Sequence, residues 1–204
     1  MSTTQPRTDT ACTTSAQIHL ALLRADFDDY AGRSLALPVA GAVIWSLIGV
    51  AALFLPPAVA PLLLLFGTGA IFPLGLAVAH RLGERLLDNP SPLAALMGRC
   101  VLMVNLLWPL HLTMFAVAPT YMPLTMGIGL GLHWIVFAWI IGHPLGLIHA
   151  TTRTALVTAV WWLAPTHRVS AVAAAVVLTY GYAIYALATR PLNNRQVTNP
   201  GCLP

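Results

Sequence analysis

At 204 residues, 58% hydrophobic and only 8% charged, the chain lacks the polar surface of a water-soluble domain, in which about a quarter of residues are charged. Its ten basic residues are all Arg and outnumber six acids, for a formal charge of +4. Spread over short loops and tails, these charges report orientation in a membrane and exclude the basic stripe that a nucleic-acid binder needs.

Residues 1–15 are rich in Ser, Thr and Gln and read as a disordered tail. No apolar run follows the start, so no cleavable signal peptide is expected and the first membrane helix serves as the anchor. Over residues 16–33, Ile18, Leu22, Leu23, Phe27 and Tyr30 share one helical face, and Arg24, Asp26, Asp28 and Asp29 fill the remainder. This pattern predicts an amphipathic juxtamembrane helix, lying at the interface or docked on the bundle. Its acidic face would be repelled by anionic lipid, which favours a lead-in over a lipid sensor.

Residues 34–189 contain six apolar segments, at about 35–55, 58–79, 92–117, 121–141, 145–164 and 169–188, each near the ~20 residues that span a bilayer. Pro56-Pro57 ends the first, and Ser91-Pro92 supplies an N-cap followed by Pro at the first helical position of the third. Gly142-His143-Pro144 breaks the fourth from the fifth. Thr151, Thr152, Arg153 and Thr154 dilute the fifth, and Arg190-Pro191 closes the sixth before the polar tail, residues 190–204. The predicted fold is an all-α membrane protein of six transmembrane helices arranged as three tandem hairpins.

With the N-terminus inside, nine of the ten Arg fall on or toward the inner side and only Arg168 on the outer. Both termini are therefore expected to be cytoplasmic by the positive-inside rule. The outer turns repeat: Pro61 precedes Gly67-Thr68-Gly69 as Pro123 precedes Gly129-Leu130-Gly131, and Ala164-Pro165-Thr166 echoes Ala118-Pro119-Thr120. Cys12, Cys100 and Cys202 form no CxxC or Cys/His pattern, so unpaired thiols and no metal site are expected.

An ionisable group inside a membrane segment costs at least ~2.5 kcal/mol near the centre and marks a functional candidate. None of the six acids lies in an apolar segment, which weighs against a proton- or sodium-driven transporter. At ~1.5 Å per residue, Asn105, His133, Tyr180, Tyr182, Ser46 and Thr68 fall about 15–20 Å from the outer turns and compose a candidate midplane polar layer. It is either the lining of a small-solute or ion path or interhelical hydrogen-bonding glue. Asn105 and His133 are expected to face each other within hydrogen-bond reach. His111, about 10 Å deep, is expected at the outer interface. Arg99 and Arg153 lie about two turns from the inner edge and are candidate lipid or anion contacts, Arg153 reaching toward the inner interface. The GxxxG spacing of Gly127 and Gly131 permits close helix approach, within the bundle or across a homo-oligomer seam.

Four stretches carry a family resemblance: Ile71-Phe72-Pro73-Leu74-Gly75; Asp88-Asn89-Pro90 with Pro92-Leu93; Trp108-Pro109-Leu110; and Gly131-Leu132-His133-Trp134 with Phe137. They resemble DUF7010, a family of bacterial membrane proteins of unknown function, over roughly residues 30–185. In that family the loop usually reads Asn-Pro-Leu, where Ser91-Pro92 intervenes here, and Arg is common at the position of His133. The resemblance implies an architecture and a bacterial inner-membrane location, and no activity. The hairpin pattern alone is distantly similar to acid-stress membrane proteins.

An enzyme is not expected. His143 and His149 are spaced i, i+6 across a Pro-Gly break, unlike the i, i+4 pair and acid of a helical metal site, and no nucleophile or phosphate-loop motif is present. No cofactor or nucleic-acid partner is implied; membrane lipids are. The functions left are a non-catalytic membrane partner or stress-associated scaffold and, as the alternative, a passive path lined by the polar layer.

Overall fold

The computed structural model describes residues 8–193, and among these all regular structure is helical, with no strand. α1 (Thr8–Ala31) begins inside the stretch read as tail, and α2 (Ala36–Ala51) follows a short turn. α3 (Ala60–Gly67) and α4 (Ile71–Leu82) are joined by a 3₁₀ turn, Thr68–Ala70. Pro73 explains the break, because its missing N–H and its ring oppose an α-helical bond to the carbonyl four residues back. α5 (Pro92–Asn105) and α6 (Trp108–Val117) are interrupted just ahead of Pro109 for the same reason.

A 3₁₀ turn at Pro119–Tyr121 leads into α7 (Met122–Gly129), which is separated from α8 (Trp134–Ile141) by a stretch held by i→i−3 bonds, including Gly131 N–H to Ile128 O at 2.9 Å. α9 (Leu145–Leu163) and α10 (Arg168–Thr189) complete the bundle. Between α8 and α9, Gly142 closes the helix in the left-handed region at φ 66°, a conformation open to Gly without steric cost. A Cβ there would also meet the Arg24 guanidinium at 2.9 Å.

Among the described residues, four helical stretches are long and apolar enough to cross a membrane: Ala60–Leu82, Pro92–Val117, Pro119–Ile141 and Arg168–Thr189. Ser15–Ala31 and Ala36–Ala51 qualify only as a pair, bent by 56°. The count is thus four to five, short of the six expected from the sequence. Two physical reasons account for it. α2 is helical for only 16 residues, because the chain leaves the helix before Pro56-Pro57. α9 is long enough at 19 residues, but His149, Arg153 and its threonines lower its hydropathy.

α10 packs chiefly against α2 and α9, α2 also against α4, and α9 against α7 and α8. Their shared core contains Trp45, Leu64, Met122, Met126, Ile140, Val157 and Val176, all essentially fully buried. Large apolar side chains cover the outside, among them Phe54, Phe66, Leu106, Val117, Leu163 and Leu178, each more than two-thirds exposed. Interior and exterior are both apolar, as lipid-embedded bundles are.

The two ends differ. At one, the proline turns converge around a cavity of about 290 Å³ bordered by Pro57, Pro119, Pro165 and Arg168. The Arg168 guanidinium lies 4.4 Å from the Trp161 ring centre and donates from Nε to Trp161 O. At the opposite, charged end, α1 is docked on the helix ends, with Ala25, Phe27, Asp28 and Ala31 buried. Asp28 accepts both Arg190 Nη groups at 2.8 and 2.9 Å and two bonds from Asn193. Glu84 accepts from the N–H groups of Leu35 and Ala36, satisfying donors at the N-terminus of α2. Arg33 donates to Leu187, Ala188 and Arg190 carbonyls at the end of α10, and Arg24 to Trp139 O. Cys100 is a buried free thiol; the Cys12 and Cys202 side chains lie outside what is described, as does the tail from residue 194.

Candidate functional site

The buried centre of the bundle holds a cation. Arg153 sits mid-way along α9 with none of its surface exposed. Its position follows from the local chemistry of the α7–α8 break. Gly131 N–H bonds to Ile128 O, so the Gly127 carbonyl loses its regular helical donor. Arg153 Nε takes that place at 2.6 Å. Gly131 also leaves the space: a Cβ there would lie 2.7 Å from Arg153 Cδ.

Two aromatic faces flank the guanidinium, Trp45 from α2 at 5.6 Å and Tyr180 from α10 at 5.4 Å to the ring centres, within the range of a cation–π attraction. One turn before Arg153, His149 is equally buried and donates from Nδ1 to Thr179 O at 2.9 Å. Its ring stacks on Trp134 at 4.2 Å and approaches Tyr180 at 5.4 Å. α2, α8, α9 and α10 thus each contribute to one Arg–His–aromatic cluster. Within it, Arg153 Nη1 and Nη2, Trp45 Nε1, Trp134 Nε1 and His149 Nε2 are buried without a hydrogen-bond partner.

On the charged side of this cluster, a cavity of about 310 Å³ opens between α1, α2, α4, α5 and α8. Its walls are mainly apolar; His133 and Trp134 line it, together with Arg85 and Asn89 from the α4–α5 loop. Trp134 therefore borders both cavity and cluster.

A family profile, described as a family of unknown function (DUF7010), matches residues 20–190. The chain belongs to the DUF7010 family. No curated protein and no solved structure matches it. In this DUF7010 member, the stretches that carried the resemblance map to helix breaks and to the site. Pro73 follows the 3₁₀ turn, Trp108-Pro109 opens α6, and Gly131-Leu132-His133-Trp134 forms the α7–α8 break beside Arg153.

Of the polar layer expected from the sequence, Tyr180 joins the cluster and His133 lies at its rim, 6.0 Å from the Trp134 ring. The remaining four do not converge with them. Asn105 is exposed and donates to Val101 O at 3.0 Å. It is not a partner of His133, because a carboxamide at the end of α5 is satisfied by its own helix. Tyr182 is exposed on the far side of α10 from Tyr180. Ser46 and Thr68 bond back to carbonyls three or four residues earlier.

The two Arg candidates separate as well. Arg99 is exposed, whereas Arg153 does not reach the inner interface, since Gly131 and the Gly127 carbonyl draw it inward. Gly127 and Gly131 both pack inside the bundle, Gly127 against Val157 and Val172 and Gly131 against Arg153. His111 is buried, contrary to its expected interfacial place. It bonds Thr125 Oγ1 at 3.2 Å and fits against Gly129.

The sequence reading missed Trp45, Trp134 and His149. His149 had a signal: it stands i, i+4 from Arg153, which places both on one helical face.

Proposed function

We propose that this chain is a multi-pass protein of the bacterial inner membrane that acts as a non-catalytic membrane partner or scaffold, with six helices and both termini cytoplasmic. Support for six comes from the burial of α9. Its His149 and Arg153 face the bundle and not lipid, so its low hydropathy does not count against a crossing. Support for orientation comes from the Arg bias, with Arg24, Arg33, Arg85 and Arg190 gathered at the end opposite the proline turns.

The observation that favours a scaffold over a path is the closed centre. The cavities at the two ends are separated by Trp45, Trp134, Arg153 and Tyr180, packed against one another at 6% exposure or less. Asp28 and Glu84, the buried carboxylates among the described residues, are committed to holding α1, α2 and α10 together. A second reading, a weakly selective path, rests on those same opposed cavities and requires the aromatic plug to move.

A cysteine at Thr120 is expected to react with a membrane-impermeant maleimide in intact cells, while a C-terminal tag stays protected; the reverse pattern refutes the orientation. Proteoliposomes loaded with small ions or solutes are expected to release them no faster than protein-free vesicles. Rapid protein-dependent release would replace the scaffold reading by the path.

A further inference from the structure

We propose that the Arg153 cluster is a binding site for a small monovalent inorganic anion of chloride size. The inference goes beyond the scaffold reading and holds whichever way the chain is oriented. It starts from donors. A guanidinium has five N–H groups and no acceptor, and an indole has one N–H and no acceptor. Arg153 uses only Nε, toward Gly127 O, and its Nη1 and Nη2 are buried and unpartnered. Trp45 and Trp134 bury their indole N–H groups without a partner in the same cluster. Buried polar groups are very largely hydrogen-bonded in folded proteins. Against these four unpartnered donor atoms stands one unpartnered acceptor, His149 Nε2, whose ring donates from Nδ1 to Thr179 O, so the missing component is an acceptor.

Charge specifies that acceptor further. A buried cation without a counter-charge costs several kcal/mol after relaxation, and cation–π contacts return only about 2 kcal/mol when desolvated. No acid occurs in any apolar segment of the chain. Asp28 and Glu84 are engaged at the charged end, with Arg190 and with the N-terminus of α2. A neutral water would accept hydrogen bonds but leave the charge. An anion meets both needs.

Size and access follow from the packing. Arg153, Trp45 and His149 are fully buried and Trp134 nearly so, which limits the ligand to one or a few heavy atoms and excludes a lipid headgroup. The approach is from the charged end, where Trp134 and His133 line the 310 Å³ cavity and Arg85 stands in its wall.

The test uses the full-length protein in a non-ionic detergent, exchanged into sodium gluconate, with chloride titrated in at constant ionic strength. The thermal unfolding midpoint is followed by helical circular dichroism. Chloride, and bromide equally, is expected to raise the midpoint saturably, and gluconate to have no effect. Trp45→Phe keeps the ring and removes one N–H; it is expected to raise the half-saturating chloride concentration about tenfold, the value of one hydrogen bond to a charged partner. Arg153→Gln is expected to abolish the response. Where Arg153→Gln does not fold, Trp45→Phe decides alone. A wild-type midpoint indifferent to chloride, as for a site that holds only water, overturns the proposal. So does a response that the folded variants leave undiminished.

Discussion

Among the described residues two arginines are buried, and they are held in opposite ways. Arg190, at the charged end, is 3% exposed and meets Asp28 through a bidentate pair at 2.8 and 2.9 Å, with only its Nε unpartnered. Arg153, at the centre, is fully buried and meets one carbonyl and two aromatic faces. The difference lies in where the chain spends its acids. All six are in the N-terminal stretch or the α4–α5 loop, so carboxylates are available to fasten helix ends and absent from the interior. The paired arginine is a structural fastener, whereas the other leaves both Nη groups without a partner in the chain.

The largest effect is expected at the paired site. Asp28→Ala leaves Arg190 buried with no counter-charge and also removes the acceptor of Asn193. The expected loss of stability is about 3–5 kcal/mol, read from unfolding in detergent. A loss below 1 kcal/mol would show that α1 and α10 are not fastened there.

At the centre the sign is expected to reverse. Arg153→Met keeps a long flexible side chain and removes a charge that no protein carboxylate balances. In gluconate, where the proposed anion is missing, this variant is expected to match or exceed wild type, the relief of an unbalanced buried charge, worth several kcal/mol, offsetting the about 1–3 kcal/mol lost when the Gly127 carbonyl loses its donor. In saturating chloride the advantage is expected to shrink. Equal destabilisation of the two arginine sites in both salts would erase the distinction between them.

The helical class, the proline-turn end and the Arg-rich end were legible in the sequence because apolar runs, prolines and loop charges each act locally. The count of membrane-competent helices was not, since hydropathy cannot tell a lipid-facing segment from α9, whose His149 and Arg153 turn inward. The site was half legible. Arg153, His133 and Tyr180 stood out as polar groups in apolar segments, but depth along a helix says nothing of direction around it. Asn105 and Tyr182 share that depth and face outward. Trp134 was marked only by the stretch that carries the family resemblance and Trp45 by nothing, because a tryptophan in an apolar run reads as packing until its N–H is seen to lack a partner.

A smaller effect sharpens the account of the charged end. Glu84 accepts from Leu35 N–H at 2.8 Å and Ala36 N–H at 3.0 Å, acting from a distant loop as the N-cap that Leu35 does not supply. Glu84→Ala is expected to cost about 1–2 kcal/mol, the range of a lost helix cap. Hydrogen exchange is expected to rise first in the opening turn of α2. Uniform loosening of the whole bundle would instead make Glu84 part of the Asp28 fastening.

The smallest expected effect concerns Asn105, the residue that depth alone pairs with His133. Its carboxamide donates to Val101 O within α5 and its side chain lies on the exposed surface, while His133 lines the cavity at the charged end against Trp134. Asn105→Leu removes a hydrogen bond internal to one helix and adds an apolar side chain to a surface that Leu102 and Leu106 already make apolar. The change in stability is expected to stay within about 0.5 kcal/mol, as for substitutions outside buried networks. A double-mutant cycle with His133→Leu is the stricter measurement, because residues without shared partners add to within about 0.5 kcal/mol. A coupling above 1 kcal/mol would place the two side chains in contact and restore the midplane layer. Additivity leaves the polar centre of the bundle to Arg153, His149 and the aromatics around them.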